Sequence, residues 1–151
     1  MSAKSFNEKQ ITNVMEDYLE AILVLSIDEG FTRITDLAEK LGKEKGTVSE
    51  MVKTKLKKLR LVNFEVYGTI TLTEKGKLIA QKIKDKHDML KSFLTLIGVE
   101  EQNAEHDCCV MEHDLTRNTT EKLNSFTHFL REKEQEDILT RYKKHLGKNK
   151  K

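Results

Sequence analysis

A chain of 151 residues, 37% hydrophobic and 34% charged, can form one compact unit or two small domains, each with a thin core. No apolar run is long enough for a membrane span and no leader-like segment is evident, so a cytoplasmic protein without a membrane partner is expected. The net charge of +2 decides little, but its placement is uneven: Lys40, Lys43, Lys45, Lys53, Lys55, Lys57, Lys58 and Arg60 stand against Glu44 and Glu50, whereas residues 100–113 run to acid and His. An anionic partner at one end and a cation at the other would suit that asymmetry.

The chain has no Pro, which favours helices joined by short polar turns. Residues 1–8 are polar and read as loose. From about Gln10 to Ile27, Ile11, Val14, Met15, Tyr18, Leu19, Ile22 and Leu25 recur with helical period, and Gly30 closes the segment. Asp17 lies beside that apolar face and Glu20 one step further round; on the residues alone they read as a solvated flank.

A short helix follows over Arg33–Gly42, with Ile34, Leu37, Ala38 and Leu41 inward. After a tight turn, Gly46-Thr47-Val48-Ser49-Glu50 opens another helix that continues through Leu56 and Leu59, a helix-turn-helix pattern. Residues 62–66 and 69–73 alternate around Tyr67-Gly68 as a two-stranded hairpin. Helix, helix-turn-helix and wing in this order predict a mainly α winged helix. Thr73 can cap a long helix from Glu74 whose stripe runs Ile79, Ile83, His87, Leu90, Leu94 and Ile97 to a stop at Gly98. His87 sits among aliphatics, where a buried, hydrogen-bonded histidine is the ordinary reading. An acidic connector, 100–107, leads to a helix bearing Cys109-Val110-Met111-Glu112-His113. Two further helices are expected over about 119–131 and 135–146, then a basic tail, 147–151.

If residues 109–113 are helical, Cys109, Glu112 and His113 share one face. The thiols of Cys108 and Cys109 are adjacent, so a disulfide between them would be strained; metal binding or reactivity is the open question. Cys109 and His113, one turn apart, would also suit a thiol nucleophile and base, but no orienting third group or oxyanion cradle accompanies them. No enzyme and no small-molecule substrate are expected.

The chain resembles the diphtheria-toxin-repressor family of metal-dependent transcriptional repressors, and is most like its short manganese-transport-regulator branch. Residues 13–130 carry the resemblance through Met15-Glu16-Asp17-Tyr18-Leu19-Glu20, Thr47-Val48-Ser49, Leu72-Thr73-Glu74-Lys75-Gly76, His87 and Glu112-His113-Asp114-Leu115. It implies a winged-helix DNA-binding domain over 1–75, a helical metal-binding and dimerisation domain over 76–146, and a homodimer on double-stranded operator DNA. It implies metal ligation by Asp17, Cys109, Glu112 and His113, with Glu20 and His87 at a second metal position. Departures are also visible. A manganese-type Asp17 and Glu20 are combined with an iron-type Cys109, Lys91 stands where the iron branch places an acid, and no SH3-like C-terminal domain is expected.

Carboxylates suit Mn²⁺, while thiolate and imidazole draw towards Fe²⁺, Co²⁺ or Zn²⁺; Mn²⁺ or Fe²⁺ is the expected ion, with Zn²⁺ and Co²⁺ compatible. The implied mechanism is a divalent ion that joins the two domains and so spaces the dimer's recognition helices for half-sites roughly 34 Å apart. Lys45, Lys53, Lys55, Lys57 and Lys58 are candidates for phosphates, Thr47, Ser49 and Glu50 for base edges, and Tyr67 for the backbone. A winged-helix regulator that senses thiol oxidation at Cys108/Cys109 is the alternative.

Overall fold

A computed structural model describes residues 10–148. The expected loose segment 1–8 and residues 149–151 of the expected tail lie outside it. Backbone contacts divide the chain into two units, Met1–Lys84 and Asp85–Lys151.

In the first unit, helix α1 spans Asn13–Leu25, capped by Thr12, whose hydroxyl accepts from the Met15 amide at 3.3 Å. The helix ends at Leu25 rather than near Ile27: Ser26 donates its hydroxyl back to the Ile22 carbonyl, and Gly30 then takes a positive φ of 77°. Helix α2 (Ile34–Leu41) stops at Gly42, which is left-handed at φ 61°. Helix α3 (Lys45–Glu50) continues directly into a π-helical stretch, Met51–Leu56. There the Lys57 amide donates to Val52, five residues back. The sequence gives no sign of that wider turn, because Val48, Val52 and Leu56 keep an ordinary i, i+4 apolar row while fully buried.

The wing is a hairpin of β2 (Val62–Phe64) and β3 (Thr69–Leu72), shorter than the alternation suggests because Val66 and Tyr67 stand in the exposed turn. It also has a third strand. Strand β1 (Thr32–Arg33) pairs antiparallel with β3, giving the order β1-β3-β2. Two residues are too few to show a period. Tyr18, Leu19, Ile22, Leu37, Val48, Val52, Leu56, Leu61 and Ile70 close one apolar core.

Helix α4 (Glu74–Leu96) begins where the sequence places it. Thr73 donates its hydroxyl to the Arg60 carbonyl at 2.7 Å and accepts from the Gly76 amide at 3.0 Å. Gly76 is required there, since a Cβ would run into the Leu61 carbonyl oxygen. The Leu72–Gly76 motif thus fastens the wing to α4.

The second unit contains the C-terminal part of α4, then α5 (Glu101–Asp114), α6 (Arg117–Arg131), a 3₁₀ turn Lys133–Gln135 and α7 (Glu136–Lys148). The expected acidic connector is in fact the first half of α5. Glu101 favours a helix start electrostatically, and the helix buries Ala104, Cys108 and Glu112, a face too polar to register as an apolar stripe. Likewise α7 runs through Gly147 to Lys148, so the start of the expected tail is helical. Leu90 and Leu94 of α4 pack with Ala104 and Cys108 of α5.

Candidate metal centre

The packing of α4 on α5 fixes the chemistry of the second unit. His87 and Leu90 are three apart on α4 and face inward; Cys108 and Glu112 are four apart on α5 and do the same. Burying a carboxylate is costly unless charge or hydrogen bonds compensate it. Glu112, only 4% exposed, has its Oε2 2.8 Å from His87 Nδ1 and its Oε1 3.4 Å from His113 Nε2. Two imidazoles therefore flank one buried carboxylate.

His87 is the hub. Its Nε2 lies 3.4 Å from Glu105 Oε1 and 3.5 Å from Cys108 Sγ; its Nδ1 lies 3.7 Å from Cys108 Sγ and 3.8 Å from Cys109 Sγ. His87, Cys108 and Cys109 each present a ligand atom, all within 4.8 Å of one another. On one side Lys91 Nζ binds Glu105 Oε2 at 2.8 Å and Glu101 Oε1 at 3.5 Å. The Lys91 hydrogen bond holds the Glu105 carboxyl below its ordinary range, despite some burial, and the Lys91 ammonium is raised in return. Burial, with the neighbouring Cys109, Glu105 and Glu112 charges, pushes the Cys108 thiol up to about 12.

Cys109 is exposed on the same helix, Glu112 is buried and His113 half-buried. Asp17 and Glu20 lie three apart on α1 of the first unit, both partly exposed. Two participants were missed by sequence reasoning. The sequence gives Cys108 a place only in the thiol-oxidation alternative, with metal binding left open, and Glu105 no role; the available signal is the helical row 101, 105, 108, 112, hidden by the expectation of a connector.

The nucleic-acid candidates lie on the first unit. Lys45, Thr47, Glu50, Lys53, Lys55, Lys57 and Lys58 are exposed on α3 and the stretch that follows, while Ser49 is half-buried. The Lys53 ammonium rests 5.0 Å from the Phe64 ring centre, which fixes that lysine against the wing. Tyr67 is 92% exposed at the tip. Oxidation sensing at the thiol pair finds no support: Cys108 is fully buried and held protonated, the opposite of a reactive thiolate.

Residues 10–70 match the family model of the iron-dependent repressor N-terminal DNA-binding domain, and residues 73–139 that of the iron-dependent repressor metal-binding and dimerisation domain. The chain is 38% identical over 124 residues to the HTH-type transcriptional regulator MntR of Geobacillus thermodenitrificans, covering 82% of this chain and 87% of that protein. It is 35% identical over 121 residues to MntR of Bacillus subtilis, covering 80% and 84%. Among solved structures, it matches a manganese-dependent transcriptional repressor in complex with manganese with a TM-score of 0.69 at 26% identity, over 76% of this chain and 52% of that one. For the manganese regulator SloR the TM-score is 0.67 at 29% identity, over 78% and 54%. The chain spans about half the length of these two solved chains. These relatives are regulators by name, not enzymes.

Proposed function

The chain belongs to the iron-dependent repressor family, and from that premise we propose that it is a cytoplasmic homodimer that represses metal-uptake genes when loaded with Mn²⁺ or Fe²⁺. The observation that carries the reading is Glu112, a buried carboxylate between the imidazoles of His87 and His113, with two thiols against the His87 ring. Such a set of oxygen, nitrogen and sulfur donors fits a divalent transition metal. When bound, the ion supplies positive charge that offsets the carboxylates gathered around it.

The proposed ligands are Asp17, Cys109, Glu112 and His113, with Glu20 and His87 at a second position. Asp17 and Glu20 hold the DNA-binding domain's end of the link and the α5 residues hold the dimerisation domain's end. Linked in this way, the domains keep the two recognition helices of the dimer at the separation that operator half-sites require. Without the link that pose is one of many, so operator affinity falls. Operator DNA must in turn tighten metal binding by the same factor. Lys45, Lys53, Lys55, Lys57 and Lys58 hold phosphates, Thr47, Ser49 and Glu50 read base edges, and Tyr67 meets the backbone at the wing.

The experiment is DNA binding by metal-free protein titrated with Mn²⁺, Fe²⁺, Co²⁺ and Zn²⁺, alongside Glu112→Ala. Binding that appears only with metal and is lost in the variant supports the reading. Binding indifferent to all four ions, or unchanged by the substitution, overturns it.

A further inference from the structure

Adjacent residues on a helix point about 100° apart and do not normally meet at one ligand. Cys108 and Cys109 nevertheless both reach the same ring, because His87 of α4 faces the edge of α5 between them. His87 Nδ1 lies 3.7 Å from the Cys108 sulfur and 3.8 Å from the Cys109 sulfur. Two donors on a single tetrahedral Zn²⁺, with bonds of about 2.3 Å to sulfur and 2.0–2.1 Å to nitrogen, stand about 3.5 Å apart. The Cys109 sulfur is therefore spaced from Nδ1 nearly as it would be around a shared ion, whereas the Cys108 sulfur, also 3.5 Å from Nε2, lies beside the ring and would reach that ion by a side-chain rotation, all three donors standing within 4.8 Å of one another. By contrast Glu112, at 2.8 Å from Nδ1, is at hydrogen-bond distance.

We propose that Cys108 is a metal ligand and that His87, Cys108 and Cys109 form a thiolate-rich site wholly within the second unit, selective for a borderline-soft divalent ion such as Zn²⁺ or Co²⁺. This site presupposes the metal-dependent function proposed above but draws no ligand from α1. Nitrogen and two thiolates leave one position for water or a carboxylate, and Glu105 and Glu112 both approach His87. With Nδ1 on the ion, the Nε2 proton is directed towards Glu105 Oε1 at 3.4 Å, the carboxylate partner that orients a ligating histidine. Lys91 secures that carboxylate from the far side. Each thiol gives up its proton to solvent as its sulfur bonds to the ion, so two protons are released and no electrons move.

The consequence concerns discrimination. Cys109 and His87 are also proposed ligands of the interdomain link, so an ion held with Cys108 withdraws both from it. Soft ions then bind without producing the DNA-binding pose, whereas Mn²⁺, which prefers oxygen, leaves the thiols alone.

Cobalt reads the number of thiolates directly. Full-length, metal-free protein titrated with Co²⁺ should show a thiolate-to-cobalt charge-transfer band with two-thiolate intensity. Cys108→Ala and Cys109→Ala should each halve it, the double variant should abolish it, and Asp17→Asn should leave it whole. Circular dichroism of each variant checks that the helices are retained; if Cys108→Ala is unfolded, Cys108→Ser replaces it with the same expectation. Wild-type intensity in the folded Cys108 variant, or a band that disappears in Asp17→Asn, would overturn the proposal. Failure of the interdomain link reads differently: DNA binding would be indifferent to metal while the two-thiolate band persisted.

Discussion

Among the described residues, the first unit buries an almost wholly apolar set, with Thr32 the one polar member, whereas the second closes Leu90, Leu94, Ala104 and Cys108 around His87 and Glu112. The two regions come from one chain with one composition, so the contrast reflects what each has to do. A recognition helix must be held rigidly whether or not a ligand is present, and a continuous apolar core from Tyr18 to Ile70 does that. A metal-binding region must keep donors desolvated and close together, which is unfavourable until a cation joins them. On this view the second unit gives up intrinsic stability for responsiveness.

The largest expected effect lies in the apolar core. Leu56→Ala should cost about 2–5 kcal/mol in urea denaturation, with no dependence on added metal, because it opens a cavity at a fully buried position of the apolar core. The next lies in the polar core. Mn²⁺ at a hundredfold its dissociation constant should stabilise the protein by about 2.7 kcal/mol, and chelation should remove the gain. Glu112→Ala should abolish that response; a Leu56→Ala protein that still folds should keep it. If both variants lose the metal response, the division between the units fails. A smaller effect is expected where the wing joins α4: Thr73→Ala should cost about 1 kcal/mol, since its hydroxyl serves both Arg60 and Gly76.

On the nucleic-acid face, Lys55→Ala should weaken binding about equally for all sequences and reduce the salt slope by about 1, leaving thermal stability unchanged. The smallest effect is expected from Lys91→Ala. Its ion pairs with Glu101 and Glu105 are exposed, so the denaturation midpoint should not move measurably.

These contrasts also show what can be read from a linear chain. The winged helix is legible because its apolar residues follow clean periods, 3.6 over α1 and 2 in the hairpin. Strand β1 escapes because two residues carry no period, and the π-helical stretch because its widened turn leaves the apolar row intact. The start of α5 escapes for a deeper reason. Its buried face is Ala104, Cys108 and Glu112, and a helix that buries donors instead of aliphatics looks like a connector. At the site, the turn Cys109–His113 and the inward slot of His87 are legible from spacing. The 2.8 Å pairing of His87 with Glu112, and the position of Cys108 against the same ring, depend on how α4 meets α5 across more than twenty residues. No local pattern encodes that.

Whether a metal held by these donors governs DNA binding is decided by selection from a pool of random-sequence duplexes. Purified full-length protein would be used, metal-free in one arm and loaded with Mn²⁺ or Fe²⁺ in the other. A sequence motif with two half-sites should emerge only in the metal-loaded arms, and chelator should release the selected duplexes. The same motif bound as tightly by the metal-free protein would contradict it.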